Sequence, residues 1–430
     1  MSASGIPIIY NMTEQLASLF TSEECKKVFD WIAAQEQTLI KTVEDWSLTN
    51  SGSKNLQGLD QMIQKVIDFA APLNAEVDLI PLPDTEIMGA DGQVAYFKNA
   101  PILRLQKRPQ ANRKLLFTGH LDTVFPTDSP FQTCRWLDDH ILNGPGVADM
   151  KGGVLVMLSA LMAFEQTAFA DRFGWEVLLS PDEETGSLAS GPVLMERAKT
   201  ADMGLTYEPA MPDGTMAGER KGSGNYTLVV RGKSAHAGRE FYKGRNAVVA
   251  LSALIAQLSS LSGQKKGLTV NPAVITGGVA PNVVPDLAQC RFNVRLAKAE
   301  DQRWLESQLD QIIQKANEED GISVVLHGGI NRPPKEITRE NQIMMDLIAA
   351  CGDHLGMNIT YQATGGCCEG NNLAAAGLPN VDTLGVVGGH IHSDQEYVDV
   401  TSFVPRIQLS TSILMAFAEG HFNEVIIKKD

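Results

Sequence analysis

The chain has 430 residues, a formal net charge of −15, and apolar and charged fractions of 43% and 20%. That length suffices for two domains with full cores, and the fractions are those of an ordinary globular protein. So acidic a balance lacks the basic patches that nucleic acid or an anionic membrane demands, so neither is expected as a partner.

Met1–Leu19 carries neither a basic n-region nor a continuous apolar core, so no signal peptide is expected. No segment reaches the apolar run of roughly 20 residues that a membrane span needs. Six cysteines with no Cys-x-x-Cys pair form no disulfide framework, and the adjacent Cys367 and Cys368 are poorly spaced for an ordinary bridge. A reduced, cytoplasmic protein is the reading.

Thr21 and Glu24 have the spacing of a capping box, and Val28, Ile32, Leu39 and Val43 predict one long helix behind it. A second helix is expected over Gly58–Ala70. Val94–Leu105 and Lys114–Phe117 read as paired strands. The polar, turn-rich Thr127–Asn143 leads into Gly144-Pro-Gly-Val-Ala-Asp-Met-Lys-Gly-Gly153. Val154–Phe164 is apolar nearly all round, which predicts a helix buried on a sheet. Trp175–Ser180 and Met203–Tyr207 are further strands, delivering Asp182-Glu-Glu-Thr-Gly186 and Glu208-Pro209. Strand, helix, strand with polar residues at the strand ends is how an open α/β sheet builds a site.

After Pro212 the pattern changes. Tyr226–Arg231, a helix over Asn246–Leu261, Ala273–Thr276 and Arg291–Leu296 read as strand, helix, strand, strand. Asp301–Asn317 is amphipathic, with Trp304, Leu305, Leu309, Ile312 and Ile313 on one face, and Ile322–Leu326 closes the set. The segment reads as a small α+β insert, one sheet backed by two helices. Asn331-Arg-Pro-Pro334 marks the expected exit hinge. From Glu336 the chain returns to helix, glycine-rich turn, strand and a last helix over Thr401–Ala418.

The residues with chemistry gather at strand ends: His120, Asp149, Glu183-Glu184, Glu208 and His392. Two imidazoles and three carboxylates suit a pair of zinc-type ions, one carboxylate bridging. The remaining carboxylate of the Glu183-Glu184 doublet suits a general base acting on water. Asp122, two residues past His120, can take a hydrogen bond from the second ring nitrogen and so fix tautomer and direction. Singly, each has a plainer reading: Glu183-Glu184 as a solvated acidic loop, Asp149 beside Lys151 as an ion pair or helix cap, His392 as a surface histidine. Their joint placement at strand ends is what favours the site.

Gly119-His-Leu-Asp-Thr-Val124, Gly146-Val-Ala-Asp-Met-Lys-Gly-Gly153, Asp182-Glu-Glu-Thr-Gly186 and His392-Ser-Asp-Gln-Glu-Tyr397, in this order, resemble the co-catalytic zinc metallopeptidases. That family includes glutamate carboxypeptidase, acetylornithine deacetylase, succinyl-diaminopimelate desuccinylase and aminoacylase. Tyr207-Glu-Pro209 and Gly388-Gly-His-Ile391 ahead of His392 are most similar to the glutamate carboxypeptidase branch. The resemblance implies two zinc ions per chain, with cobalt or manganese able to substitute. Asp149 would bridge them, His120 and Glu208 would complete one site, and Glu184 and His392 the other. Glu183 would be the base and Asp122 the orienter of His120.

Gly232-Lys-Ser-Ala-His-Ala-Gly238 is similar to the loop whose histidine, here His236, reaches a neighbouring subunit's site and stabilises the oxyanion. Read alone, His236 is a surface turn histidine. Asn282 and Arg295 match positions that hold a substrate carboxylate in relatives, a task that suits a planar guanidinium. Arg295 reads equally as a sheet-surface ion pair. Arg220-Lys221-Gly222 adds positive charge near the insert. Where relatives carry Gly-Gly-x-Ser/Thr-Asp, this chain has Gly365-Gly-Cys-Cys-Glu-Gly370, so Gly366 would stand at the substrate while Cys368 and Glu369 alter the pocket floor.

The expected architecture is an α/β catalytic domain, 1–213 plus 333–430, whose central mixed sheet lies between helices. Residues 214–332 would be an inserted α+β dimerisation or lid domain, making the protein a homodimer. The expected reaction is hydrolysis of an amide next to an amino acid with a free carboxylate, carboxypeptidase-like, on a small peptide or acyl-amino acid. An N-acyl-amino acid deacetylase and a non-catalytic metal-binding scaffold are the alternatives. Retention of Glu183 beside every ligand argues against the scaffold.

Overall fold

Six strands make the central sheet, in the order Glu76–Ile80, Ile102–Lys107, Gly174–Ser180, Lys114–His120, Met203–Thr206 and Asn380–Val381. The first two pairings are antiparallel and the other three parallel, so the sheet is mixed. The computed structural model describes residues 16–426. The expectation of no signal peptide over Met1–Leu19 falls mainly on residues 1–15, which lie outside the described residues.

Side chains alternate across this sheet and both faces are buried. Leu115 and Phe117 join the cluster that holds Val154, Leu158 and Ile413, whereas Leu116 joins Leu194 and Leu373 on the other side. Two apolar faces explain why these strands read as continuous hydrophobic runs. Helices Gly153–Phe164 and Phe403–Glu419 pack together on one face, and Gly191–Ala198 with Glu369–Ala375 on the other. Fully burying each large aliphatic or aromatic side chain contributes about 1.5–3 kcal/mol. One stretch among the described residues, Val147–Phe164, is long and apolar enough to cross a membrane, and 94% of it is buried inside the fold.

Two sequence expectations are corrected here. Val94–Leu105 is not one strand and does not pair with Lys114–Phe117. Val94–Phe97 forms a hairpin with Thr85–Met88, while Ile102–Lys107 enters the sheet between Glu76–Ile80 and Gly174–Ser180. Pro101, with no amide hydrogen to give a ladder, separates the two. The crossover through Gly153–Phe164 then lays Gly174–Ser180 beside Lys114–His120 in parallel. The long first helix is also two, Glu23–Ala33 and Glu36–Ser47. Its cap is Ser22, whose Oγ accepts the Cys25 amide at 3.1 Å, while Thr21 donates its hydroxyl back to Ala17 and Ser18.

A second, wholly antiparallel sheet runs in the order Thr269–Gly277, Leu287–Leu296, Gly222–Arg231 and Ser323–Arg332. Helices Ala247–Ser259 and Glu300–Ala316 cover it through Leu251, Leu254, Leu258, Leu305 and Leu309, in an apolar cluster separate from that of the central sheet. Asn246 caps the first of them, its side chain accepting the Val249 amide at 3.1 Å. The fold is therefore a mixed-sheet α/β unit carrying a smaller α+β unit of one sheet and two helices. Asn331 and Arg332, expected within the exit hinge, are strand residues. They continue the last strand, which Pro333 and Pro334 end by lacking amide donors.

Candidate metal centre

Three of the parallel strands of the central sheet lead to polar side chains of the site. Lys114–His120 ends in His120 itself, Gly174–Ser180 leads to Glu183 and Glu184, and Met203–Thr206 leads to Glu208. The turn before helix Gly153–Phe164 brings Asp149. That turn can sit close because residue 153 is glycine: a Cβ there would meet the Tyr207 carbonyl oxygen at 1.9 Å. His392 arrives from a loop in which it and His390 both adopt left-handed backbone, at φ 64° and 54°.

The five side chains converge. Asp149 Oδ1 lies 3.1 Å from His120 Nε2, and its Oδ2 lies 3.2 Å from His392 Nε2. Glu184 Oε2 lies 3.1 Å from His392 Nε2, and Glu208 Oε2 lies 3.9 Å from His120 Nε2. His120, Asp149 and Glu184 each place one donor atom within 4.8 Å of the others, a group able to hold a metal ion. Ligands about 2.0–2.1 Å from a tetrahedral ion stand about 3.3 Å apart, close to these separations. Glu208 Oε1 is buried without a hydrogen-bond partner, an orphaned acceptor that a cation would satisfy. The residues therefore fit divalent metal.

The electrostatics agree with that fit. Burial pushes Glu183 up to about 7 and Glu184 up to about 8, with neighbouring Asp149 adding to each. Asp149, against its burial, is held below the usual carboxylate range by hydrogen bonds to His120 and His392. Hydrogen bonds to Asp149 and Glu184 raise His392 to about 11. Carboxylates crowded to this degree favour a shared cation.

The surrounding contacts hold the donors in place. His120 Nδ1 lies 3.0 Å from the Asp122 backbone oxygen and 3.4 Å from its Oδ1, so the nearer partner is main chain rather than the expected carboxylate. The Asp122 carboxylate instead accepts the backbone amides of Glu183 and Glu184, both at 3.1 Å, and the Ser53 hydroxyl at 2.7 Å. It orients the doublet as much as the histidine. Glu396 does the same for Asp149, its carboxylate accepting the amides of Gly146, Ala148 and Asp149 at 3.1, 3.0 and 3.0 Å.

A cavity of about 590 Å³ opens beside these residues and is lined also by Arg295, Arg332, Gly366 and Cys367. Arg295, one residue before the end of its strand, has Nη1 3.3 Å from Cys367 Sγ and Nε 3.0 Å from Asn293 Oδ1. Arg220 is buried at the same wall, 2.7 Å from Asp382 Oδ1, with Lys335 2.8 Å from Oδ2. His236 and Asn282 do not line the cavity of their own chain. They are exposed and adjacent, the Ala237 amide donating to the Asn282 carbonyl at 3.0 Å. Glu369 is not at the pocket floor, contrary to expectation. It is fully buried behind it and hydrogen-bonded to Ser180, because it opens helix Glu369–Ala375 against the sheet.

Sequence reasoning missed Arg332, Glu396 and Ser53. Glu396 stands inside the His392 motif and was within reach. Arg332 was hidden in a segment whose prolines signalled only a turn. Ser53 carries no local pattern at all.

Imidazoles and carboxylates gathered at the carboxyl ends of parallel strands, beside a roomy cleft, define a metal-dependent hydrolase. The chain belongs to peptidase family M20/M25/M40, whose sequence model matches residues 116–416. It is 29% identical over 327 residues to carboxypeptidase G2 of Pseudomonas sp. (strain RS-16), covering 72% of this chain and 75% of that one. It is 28% identical over 333 residues to succinyl-diaminopimelate desuccinylase of Cereibacter sphaeroides, covering 71% and 84%. In fold it is similar to the M20 family metallo-carboxypeptidase Sso-CP2 of Sulfolobus solfataricus, with a TM-score of 0.69 at 16% identity, covering 89% of this chain and 99% of that one. The protein is a hydrolytic enzyme.

Proposed function

We propose that the protein is a di-zinc hydrolase of amide bonds adjoining an amino acid with a free carboxylate, carboxypeptidase-like. The observation that carries this is the position of Asp149, whose two oxygens face two different imidazoles, His120 at 3.1 Å and His392 at 3.2 Å. One zinc would be held by His120, Asp149 and Glu208, the other by Asp149, Glu184 and His392. Two such ions would polarise the scissile carbonyl and lower the pKa of water toward about 7.

Within that frame the chain's own groups divide the work. Glu183 takes the proton of the attacking water and passes it to the leaving nitrogen as the C–N bond breaks. Its contact with Arg332, 2.8 Å from Oε1, keeps that carboxylate directed. Arg295 receives the substrate carboxylate at the cavity wall, with Gly366 beside it. His236, with Asn282 near it, donates to the developing oxyanion from a second copy of the chain.

Residues 214–332 serve as the dimerisation or lid domain in this reading, and 1–213 with 333–430 as the catalytic domain. Support comes from the separate apolar cluster and from the edge strand Thr269–Gly277, where Ile275 is 61% exposed beside Val279 at 91% and Val249 at 64%. An exposed apolar edge of this kind suits a second copy. A deacylase is the second reading, favoured by the likeness to desuccinylases. A panel of C-terminal dipeptides against N-acetyl and N-succinyl amino acids, run with metal analysis of the purified protein, separates the two. No turnover of any amide by the zinc-loaded protein contradicts both.

A further inference from the structure

Cys367 stands in an unusual place. Its sulfur lies 3.3 Å from Arg295 Nη1 and 3.7 Å from Arg332 Nη1, at the wall of the 590 Å³ cavity. Arg332 is only 5% exposed and keeps its Nε hydrogen without any partner, so this buried fork has a donor in reserve. Of the six cysteines, four are buried, and only Cys367 and Cys134 are partly exposed. Cys134 instead faces the Glu44 carbonyl at 4.0 Å. One reachable thiol therefore sits between two fixed cations, and the other does not.

We propose that Cys367 is a covalent modification site for small hydroperoxides, the oxidised sulfur lodging between Arg295 and Arg332. With hydrogen peroxide the sulfur attacks one peroxide oxygen. The S–O bond forms as the O–O bond breaks, and the departing hydroxide takes the thiol proton to become water. Sulfur is oxidised to sulfenic acid and the peroxide is reduced. The two guanidiniums draw oxygen-rich reagents to the sulfur and donate hydrogen bonds to the new S–O group. Two thiol equivalents restore the cysteine: the first condenses with the sulfenic acid, releasing water and leaving a mixed disulfide, and the second reduces that disulfide. A blocked cleft follows only if the cavity is the substrate pocket, which rests on the function proposed above; the modification itself does not.

The test treats the zinc-loaded full chain with limiting hydrogen peroxide and traps sulfenic acid with dimedone, mapping the adduct by peptide mass spectrometry. Label should appear on Cys367 ahead of Cys134, vanish in Cys367→Ser, and fall in Arg295→Ala. Succinate, a small dicarboxylate probe for the guanidiniums, should slow labelling. Each protein's rate is compared with its own untreated rate. In aliquots left without dimedone, activity should fall as the label rises in the trapped samples, return with dithiothreitol, and persist in treated Cys367→Ser. Equal labelling of Cys134, an unlabelled Cys367, or a Cys367 yield indifferent to Arg295→Ala overturns the proposal. Labelled but fully active protein contradicts the assigned substrate pocket and leaves the modification standing.

Discussion

Arg332 Nη2 lies 2.8 Å from Glu183 Oε1, and the same nitrogen donates to the Glu183 carbonyl at 2.6 Å and to Ser187 Oγ at 2.8 Å. The last residue of the insert's sheet thus grips both ends of the residue proposed as the base.

Replacing Arg332 by alanine should lower kcat by about 10²-fold through misplacement of Glu183. It should also destabilise the fold by about 3–5 kcal/mol, because a buried carboxylate loses its partner. Zinc content should be retained, since Arg332 touches no proposed ligand. Steady-state kinetics, elemental analysis and thermal unfolding read the three effects, and normal turnover in Arg332→Ala contradicts the grip.

Glu396 is expected to act through Asp149. Its three amide contacts shape the turn that presents the carboxylate proposed as the bridge. Glu396→Ala should weaken zinc binding by about 10–100-fold, the usual share of a partner behind a ligand. Glu396→Gln, which keeps an acceptor oxygen, should recover much of that. Chelator competition measures both, and equal affinities across the three proteins would remove the role.

Asp382 couples stability to pH. Burial alone would raise its carboxyl, but Arg220 and Lys335 hold it down at about 2. The unfolded value is about 3.9, so folding favours the charged form. Its contribution, about 2–3 kcal/mol, is complete above pH ~4 and is lost as pH falls through ~2. Asp382→Asn should lack that acid-linked step and should be less stable at neutral pH, with two buried cations unpaired. The difference in urea midpoint between wild type and variant should shrink from about pH 5 to about pH 2. A constant difference contradicts the linkage.

Donation of His236 across subunits predicts complementation. His236→Ala should keep zinc and lose about 10²–10³ in kcat, the cost of one oxyanion donor. Glu183→Ala should keep zinc and lose about 10²–10⁴. Co-expressed, the two should form mixed dimers with one intact composite site and activity well above either parent. No recovery in demonstrated mixed dimers means that His236 acts within its own chain or not at all.

What was legible in the sequence follows from range. His120, Asp149, Glu183, Glu184, Glu208 and His392 announced themselves because each ends a strand or opens a turn, and the motif around each is local. Strand partners were not legible. Ile102–Lys107 and Lys114–His120 are neighbours in the chain, yet Gly174–Ser180 lies between them, a choice made by the crossover helix rather than by either strand. The same holds for Arg332 and Ser53, which meet Glu183 and Asp122 across 149 and 69 residues. Contacts of that span leave no periodicity to read. Asp122 shows the middle case: its importance was visible, but its carboxylate serves Glu183 and Glu184 more closely than His120.

The central claim is that Asp149 bridges two cations, and metal stoichiometry tests it most directly. Elemental analysis of wild-type protein, equilibrated with zinc and freed of loose metal, should find two zinc per chain. Asp149→Asn should hold clearly fewer, because one neutral amide cannot balance two cations. A single zinc in the wild type, or full occupancy in Asp149→Asn, contradicts the account.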